Sequence, residues 1–452
     1  MNIVLPKGAQ HIISRLNNAG YEAYIVGGCV RDSLMEKEPS DWDICTSART
    51  DEMMKVFRDM RIVPTGLQHG TITILERDGA YEVTTFRIDG EYVDHRHPKS
   101  VLFTNELKED LSRRDFTINA MAWHPEKGLI DLFNGIEDLN HRIIRAVGNP
   151  EKRFNEDGLR MLRMVRFATV LDFDYDQETY DAAVKLNYLM KHISKERVQV
   201  ELNKILLAQH PARGLQDLYD IDLYPYICPY ICHMVGFEQT SCYHFLDVFE
   251  HSLLAVGMTE QDLILRLTMF LHDVGKPFTW TVEADTGYDS FKNHAEVGAE
   301  LANKILRDLK YDNVTRRSVV ELINHHNDMI CCDEITVRRL LSALGEEQAR
   351  RLLKVKIADL MAHNFPFKRR QFVELFRNVD VVITEILKRG DCISISDLAI
   401  NGNDVKQLGV SGRNIGEVLG AALNEVIINP EMNSYDKLMG WVVNLLKNQK
   451  NQ

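Results

Sequence analysis

A change in apolar spacing near residue 140 narrows the possible folds more than any other feature of this chain. Before it, short β-rich runs alternate with turn signals. Ala23 to Val26 runs into Gly27-Gly28, and Val30 to Met35 starts like a helix. Thr71 to Leu75 and Tyr81 to Phe86 flank Asp78-Gly79, a hairpin signature. After it, Leu, Met, Val and Ala recur at helical spacing, from Leu159, Leu162, Met164, Val165 and Phe167 through Leu253–Leu271 to Leu301–Leu309. The expected class is α+β: a small mixed-sheet head followed by a mostly α-helical neck, body and tail. The expected divisions are 1–140, 141–205, 206–395 and 396–452, with the last residues frayed.

Composition bounds the rest. A chain of 452 residues, 45% hydrophobic and 27% charged, has material for several soluble cores. The first residues, MNIVLPKGAQHIISRLNN, lack the apolar stretch of a signal peptide. No run approaches the roughly 20 apolar residues of a membrane span. A cytoplasmic protein with no membrane partner is expected. The eight cysteines are scattered and expected to be reduced thiols; Cys228, Cys232 and His233 have weak metal-site spacing. A net charge of -12 argues against indiscriminate coating of nucleic acid but leaves room for a local basic groove.

The front motif is Tyr24-Ile-Val-Gly-Gly-Cys-Val-Arg-Asp32, followed by Ser40-Asp41-Trp42-Asp43-Ile44. Two glycines after a strand let backbone N–H groups approach a triphosphate, so Gly28 is a candidate nucleotide contact. Arg31 in the next turn would neutralise phosphate charge. Asp41 and Asp43 are two apart, which on a strand puts both carboxylates on one face. Such a pair suits Mg²⁺ that also holds substrate phosphates. Glu82, a charge in an otherwise apolar β-run, is the candidate third carboxylate.

Together these residues resemble the class II bacterial CCA-adding enzymes, the tRNA nucleotidyltransferase and poly(A) polymerase family. The resemblance implies a nucleotidyltransferase head and addition of C, C and A to the tRNA 3′ end from CTP and ATP by a two-metal Mg²⁺ mechanism, with Asp41, Asp43 and Glu82 catalytic. Ser112-Arg-Arg-Asp-Phe-Thr-Ile-Asn-Ala120 is similar to the family's second motif. It carries Arg114 over as a phosphate contact, with Asp115 and Asn119 supporting the site. Asp131-Leu-Phe-Asn-Gly135 resembles the element joining head to neck. Gly90–Phe103 resembles the flexible loop of members that add the terminal A. Ile400–Val410 and Gly412–Leu419 resemble the tRNA-binding tail. Lys368, Arg369 and Arg370 read equally as a phosphate contact or a solvated loop.

Asn155-Glu-Asp-Gly-Leu-Arg-Met-Leu-Arg-Met-Val-Arg-Phe167 reads as one helix beginning near Asn155 or Glu156. Asp157, Arg160, Arg163 and Arg166 recur every third residue, which describes a solvated charged face as well as a binding row. Cytosine and adenine each present an amino donor beside a ring-nitrogen acceptor; guanine and uracil present the reverse. A carboxylate beside a guanidinium therefore accepts C or A. Asp157 and Arg160 are the expected pair, Glu156 orients Arg160, and Arg163 and Arg166 meet phosphate or assist the base contact. In the family the Glu-Asp-x-x-Arg motif has the base-reading role.

The second half carries His251, then Phe270-Leu-His-Asp-Val-Gly-Lys276, His294, Asn324-His-His326 and Ala358-Asp359. The His272-Asp273 doublet resembles the HD phosphohydrolase superfamily, with the domain expected at about 244–365. The resemblance makes His251, His272, Asp273 and Asp359 metal ligands, adds His294 and His325 in a two-metal form, and gives Lys276 a phosphate. Imidazole with carboxylate suits Ni²⁺, Mn²⁺, Fe²⁺ or Zn²⁺. Two alternatives stay open: an ATP-only poly(A) polymerase, and an RNA-binding head with the HD domain as the only enzyme.

Overall fold

The computed structural model describes residues 3–89, 101–239, 246–285, 287–363 and 366–450. It separates into two compact units, Met1–Cys232 with Asp308–Lys310, and His233–Arg307 with Tyr311–Gln452.

The first unit opens with α1 (Lys7–Asn18), β1 (Ala23–Val26), α2 (Gly28–Leu34), β2 (Asp43–Thr46) and α3 (Thr50–Val56). It continues through β3 (Arg61–Gly66), β4 (Thr71–Glu76), β5 (Gly79–Thr85), β6 (Arg87–Asp89), β7 (Val101–Phe103), α4 (Leu107–Ser112), β8 (Met121–His124) and β9 (Gly128–Asp131). The main sheet runs β3-β4-β5-β2-β1-β8-β9. β2 and β5 are parallel and the other pairs antiparallel, so the sheet is mixed. All four residues of β1 are buried, as an apolar run at the sheet centre requires. The hairpin turn is Arg77-Asp78, and Gly79 already pairs with Glu76. The expected Asp-Gly turn sits one residue late because the Asp78 carboxylate accepts from Gly8 N–H at the start of α1, 2.9 Å away.

Helices then take over: α5 (Gly135–His141), α6 (Pro150–Glu156), α7 (Leu159–Leu171), α8 (Gln177–Leu186), α9 (Lys195–Leu206), α10 (Pro211–Asp220) and α11 (Tyr224–Ile227). The single helix expected from Asn155 is two. Asp157 between them is extended (φ -148°, ψ 105°), and its carboxylate accepts from Leu159 N–H at 3.1 Å. The break follows from that local bond, which competes with the helical ladder.

The second unit contains α12 (Val248–Gly257), α13 (Leu263–Leu271), α14 (Lys276–Thr279), a hairpin of β10 (Thr281–Val282) and β11 (Asp289–Ser290), α15 (His294–Asp308), α16 (Asn313–His325), α17 (Glu334–Ala362, broken at Gly345) and α18 (Pro366–Arg389). Helices α12, α13, α16 and α17 pack together. α19 (Gly402–Gln407), α20 (Asn414–Ile428) and α21 (Tyr435–Lys450) enclose a core that includes Val405, Leu419, Val426 and Leu438. Among the described residues, no helix is long and apolar enough to cross a membrane.

Candidate functional sites

Gly27 ends β1 with φ +83°, a left-handed conformation, and a Cβ there would stand 2.9 Å from Arg114 Nη1. Only glycine lets the chain turn into α2 with that guanidinium so close. The turn lines a cleft of about 640 Å³ whose walls are otherwise Arg31, Asp32, Ser40, Asp41, Asp43 and residues of 113–119, 157–167, Arg197 and Lys204. Eight cationic side chains face five carboxylates there, so the cleft is locally positive in an acidic protein.

The carboxylates gather at one wall. Asp43 opens β2, pairs in register with Glu82 of β5, and is preceded by exposed Asp41. Burial first, then the charge of Asp41, push the Asp43 carboxyl up to about 6 against the pull of Arg114; Glu82 adds to the rise. Asp41 and the partly desolvated Asp43, with Glu82 adjoining by register, offer carboxylate oxygens of the kind a divalent cation takes. Glu82 adjoins Asp43 by register but is not among the residues lining the cleft.

The arginines are held by the fold. Arg31 Nη1 donates to Asn119 Oδ1 at 2.6 Å and Nε to Asp32 at 2.8 Å. Arg113 and Arg114 both reach buried Asp110, at 2.7 and 3.4 Å. Burial alone would raise Asp115, but Arg163 and Arg160 outweigh it and hold the carboxyl well below its usual range. Arg163 Nε donates to Asp115 at 2.8 Å, and Arg166 pairs with Glu201 at 2.6 Å. Arg160 Nη1 donates to Arg153 O (2.9 Å) and Glu156 Oε2 (2.6 Å), and Nη2 to Arg113 O (2.8 Å). Asp157 pairs with Arg197, not with Arg160: Nη2 lies 2.6 Å from Oδ2 and Nη1 3.2 Å from Oδ1. Arg197 was not expected from the sequence, since it lies 40 residues away on α9.

In the second unit, the ends of packed helices bring imidazoles together. His251 Nε2 lies 3.0 Å from Asp359 Oδ1 and 3.3 Å from His272 Nε2. His294 Nε2 lies 3.2 Å from His326 Nε2. The Asp273 carboxylate stands between these pairs. Its Oδ2 is 3.2 Å from His272 and 3.7 Å from His251; its Oδ1 is 3.7 Å from His294 and 3.8 Å from His326. The Nδ1 atoms of His272, His294, His326 and His363 face the carbonyls of Met269, Phe291, Ile323 and Asp359 at 2.6–2.8 Å. For His272, His294 and His326, donation from Nδ1 fixes the tautomer whose Nε2 lone pair can meet a metal. Two groups of converging ligands, His251/His272/Asp273 and Asp273/His294/His326, share one carboxylate, and His251, Asp359 and His363 form a third. This nitrogen-and-oxygen set fits a divalent transition ion. Gly275 keeps α15 close, since a Cβ there would stand 2.2 Å from His294 O.

His325 is a correction. Its Nδ1 turns to Asp328 at 2.6 Å, and the neighbouring His326 faces the centre. His363, one turn beyond Asp359, was missed. Cys228, Cys232 and His233 do not converge on a metal geometry. Of the expected loop Gly90–Phe103, residues 90–100 lie outside the described residues; β6 and β7 pair on either side of them, Arg87 with Phe103. The Lys368 side chain is also outside them, and Arg369 donates to His363 O at 2.7 Å.

Residues 23–145 match the poly A polymerase head domain, 172–234 the probable RNA and SrmB-binding site of polymerase A, and 242–364 the HD domain. A CCA-adding enzyme of Lactiplantibacillus plantarum is 33% identical over 450 residues, 96% of this chain and 95% of that relative. The chain belongs to the CCA-adding enzyme family. A CCA-adding enzyme of Limosilactobacillus reuteri is 48% identical over 221 residues, 49% of this chain, and that match spans 54% of the relative's length. The crystal structure of the Bacillus stearothermophilus CCA-adding enzyme in complex with CTP superposes with a TM-score of 0.76 at 29% identity, covering 99% of this chain and 100% of that one. The CCA-adding enzyme family thus accounts for both halves of the chain, with the HD domain an assigned part of the second.

Proposed function

We propose that this chain adds C, C and A in turn to the 3′ end of tRNA from CTP and ATP, releasing pyrophosphate at each addition. The observation that carries the reading is that a single arginine-lined cleft holds both the Asp41/Asp43 wall and the Asp157 carboxylate. Asp41 and Asp43 would hold Mg²⁺, with Glu82 beside them. When bound, Mg²⁺ supplies activation of the attacking 3′-hydroxyl and neutralises charge on the departing pyrophosphate. Gly28 N–H, Arg31 and Arg114 face the triphosphate, and Arg163 and Arg166 keep the base end positive. Asp157 accepts the exocyclic amino group of C or A. Arg160 spends three N–H bonds on the protein, leaving Nε–H and one Nη2 hydrogen for the ring nitrogen.

A tRNA lacking its 3′ CCA, purified protein and Mg²⁺ test this at single-nucleotide resolution. Two additions with CTP alone, and three with a stop when ATP is also present, are expected. A long A tail from ATP alone would make the protein a poly(A) polymerase. No extension would leave the head as an RNA-binding module.

The HD geometry favours a second activity, metal-dependent hydrolysis of phosphate esters, which the HD resemblance directs to 2′,3′-cyclic or 2′-phosphates. His251, His272, Asp273 and Asp359, or Asp273, His294 and His326, would hold a transition ion, which when bound would supply a nucleophilic water at neutral pH and neutralise the ester's charge. Lys276 Nζ, 2.7 Å from Asp273 and bonded to Gln239 at 2.8 Å, is placed to meet a phosphate oxygen. Protein loaded with Ni²⁺ or Mn²⁺ is expected to hydrolyse bis(p-nitrophenyl) phosphate. Asp273→Ala should lower that rate at least about a thousandfold, ~4 kcal/mol of barrier, with CCA addition unchanged. An unloaded, inactive domain would mean the histidines serve packing alone.

A further inference from the structure

Next to the HD centre the cleft has an aromatic side that neither nucleotide addition nor metal binding uses. Besides the ligands, the cleft is lined by Lys276, Asp289, Ser290, Phe291, Lys292 and Asn327. The β10–β11 hairpin pairs Thr281 with Ser290 and Val282 with Asp289; carried one residue further, that register faces Trp280 with Phe291. Phe237 joins them. Its ring lies 6.4 Å from Trp280 and 6.3 Å from Phe291, nearly perpendicular to the first at 87°. Lys276 Nζ stands 5.6 Å from the Phe291 ring centre. A continuous path of rings therefore runs from the phosphate-facing lysine outward to Trp280.

Trp280 is oriented without being covered. Its Nε1–H donates to Asp289 Oδ1 at 2.8 Å, and Asp289 itself lines the cleft. The residue is nevertheless 51% exposed, and the same hairpin exposes Val282 and Tyr288. A large aromatic surface beside a charged cleft is costly to leave in water unless it meets a ligand. A hydrogen-bonded indole loses little freedom on stacking, so it is a prepared partner for a flat ring. Buried Lys276 sits at the inner end and the exposed indole at the outer end. A ligand that fills both has a phosphate and, a few bonds away, an aromatic ring.

We infer that Trp280 forms a nucleobase-stacking subsite, so that the HD centre selects phosphate esters carrying a base over esters without one. The inference rests on the hydrolase reading above and names the part of the substrate that reading leaves open. A free nucleotide and the last residue of an RNA present the same ring and phosphate, and the test separates them.

The test uses full-length protein loaded with Ni²⁺ and two five-membered cyclic esters, adenosine 2′,3′-cyclic phosphate and glycerol 1,2-cyclic phosphate. Trp280→Ala should raise KM for the adenosine ester about 5- to 100-fold, the range of base–aromatic stacking, with kcat little changed. The glycerol ester should not register the change, and Trp280→Phe should keep most of the preference. An RNA ending in a 2′,3′-cyclic phosphate, run in parallel, separates the two sources: a KM no lower than that of the mononucleotide supports a free-nucleotide site, and a lower KM for the RNA supports a chain-end site. Equal KM for both esters in the unsubstituted protein, or an equal effect of Trp280→Ala on both, would overturn the subsite and leave the hydrolase standing. If neither ester is hydrolysed, the hydrolase reading fails instead. A fluorescence titration then decides the subsite by itself: adenosine 2′,3′-cyclic phosphate must quench emission that Trp280→Phe removes, and no such difference overturns it.

Discussion

Asp43→Asn is expected to abolish nucleotide addition while leaving the cation-free protein at least as stable as before. The loss should be at least about a thousandfold in single-turnover addition of C, ~4 kcal/mol of barrier, because the substitution removes one of the paired carboxylates that would hold Mg²⁺. Stability moves the other way. The folded-state carboxyl sits near 6 against an ordinary 3.8, raised by burial and then by Asp41 and Glu82, with Arg114 opposing. The folded protein therefore binds more protons than the unfolded chain between those values. Its stability falls as pH rises through that window, and the full penalty is present at pH 7. An amide removes the penalty, about 1–3 kcal/mol. In EDTA at pH 7, Asp43→Asn should unfold at a higher temperature than the unsubstituted protein, and the difference should shrink towards pH 4. Affinity for tRNA should persist. A lower unfolding temperature together with lost tRNA binding would mean that Asp43 supports the fold and that the cleft wall needs another explanation.

Much of this was legible in the sequence because it is local. The apolar run Ala23–Val26 gives a fully buried strand, the glycine after it turns with positive φ, and the two-residue step from Asp41 reaches Asp43 at the start of a strand. What the sequence hid depends on partners far along the chain. The three-residue repeat of Asp157, Arg160, Arg163 and Arg166 runs straight through the break at Asp157, so periodicity alone reads one helix. That break frees the carboxylate to meet Arg197 on another helix, a pairing no local pattern encodes. The choice between His325 and His326 is different, because a signal existed. Val319, Leu322 and Ile323 are the buried positions of α16, and the same stripe continues to 326, not 325. Extending the apolar face of a helix to its final turn identifies the inward ligand. The same step of four from Asp359 reaches His363.

Asp157→Asn is expected to shift base choice, not simply to weaken it. A carboxylate offers acceptors only, and the bidentate contact with Arg197 holds this one at the cleft wall. Facing it, the amino group of C or A is satisfied, whereas the carbonyl of U or G meets a like dipole and leaves buried groups unpaired. Sites built on such hydrogen bonds discriminate by up to about 10⁴–10⁵. An amide brings an N–H₂ donor of its own, so the variant should accept UTP and GTP at least about a hundredfold better relative to CTP and ATP. Asp157→Ala should relax the choice without the bias towards carbonyl bases. Arg197→Met should lower addition of C and A through a misplaced carboxylate, with the selectivity ratio moving less than in Asp157→Asn. The ratio of kcat/KM for the four nucleotides on the same tRNA reads all three variants. If it stays unchanged in Asp157→Asn and Asp157→Ala, the protein does not read the base through this carboxylate. Arg160 would then lose its proposed role as well, because a guanidinium alone donates to the carbonyl of U or G as readily as to the ring nitrogen of C or A.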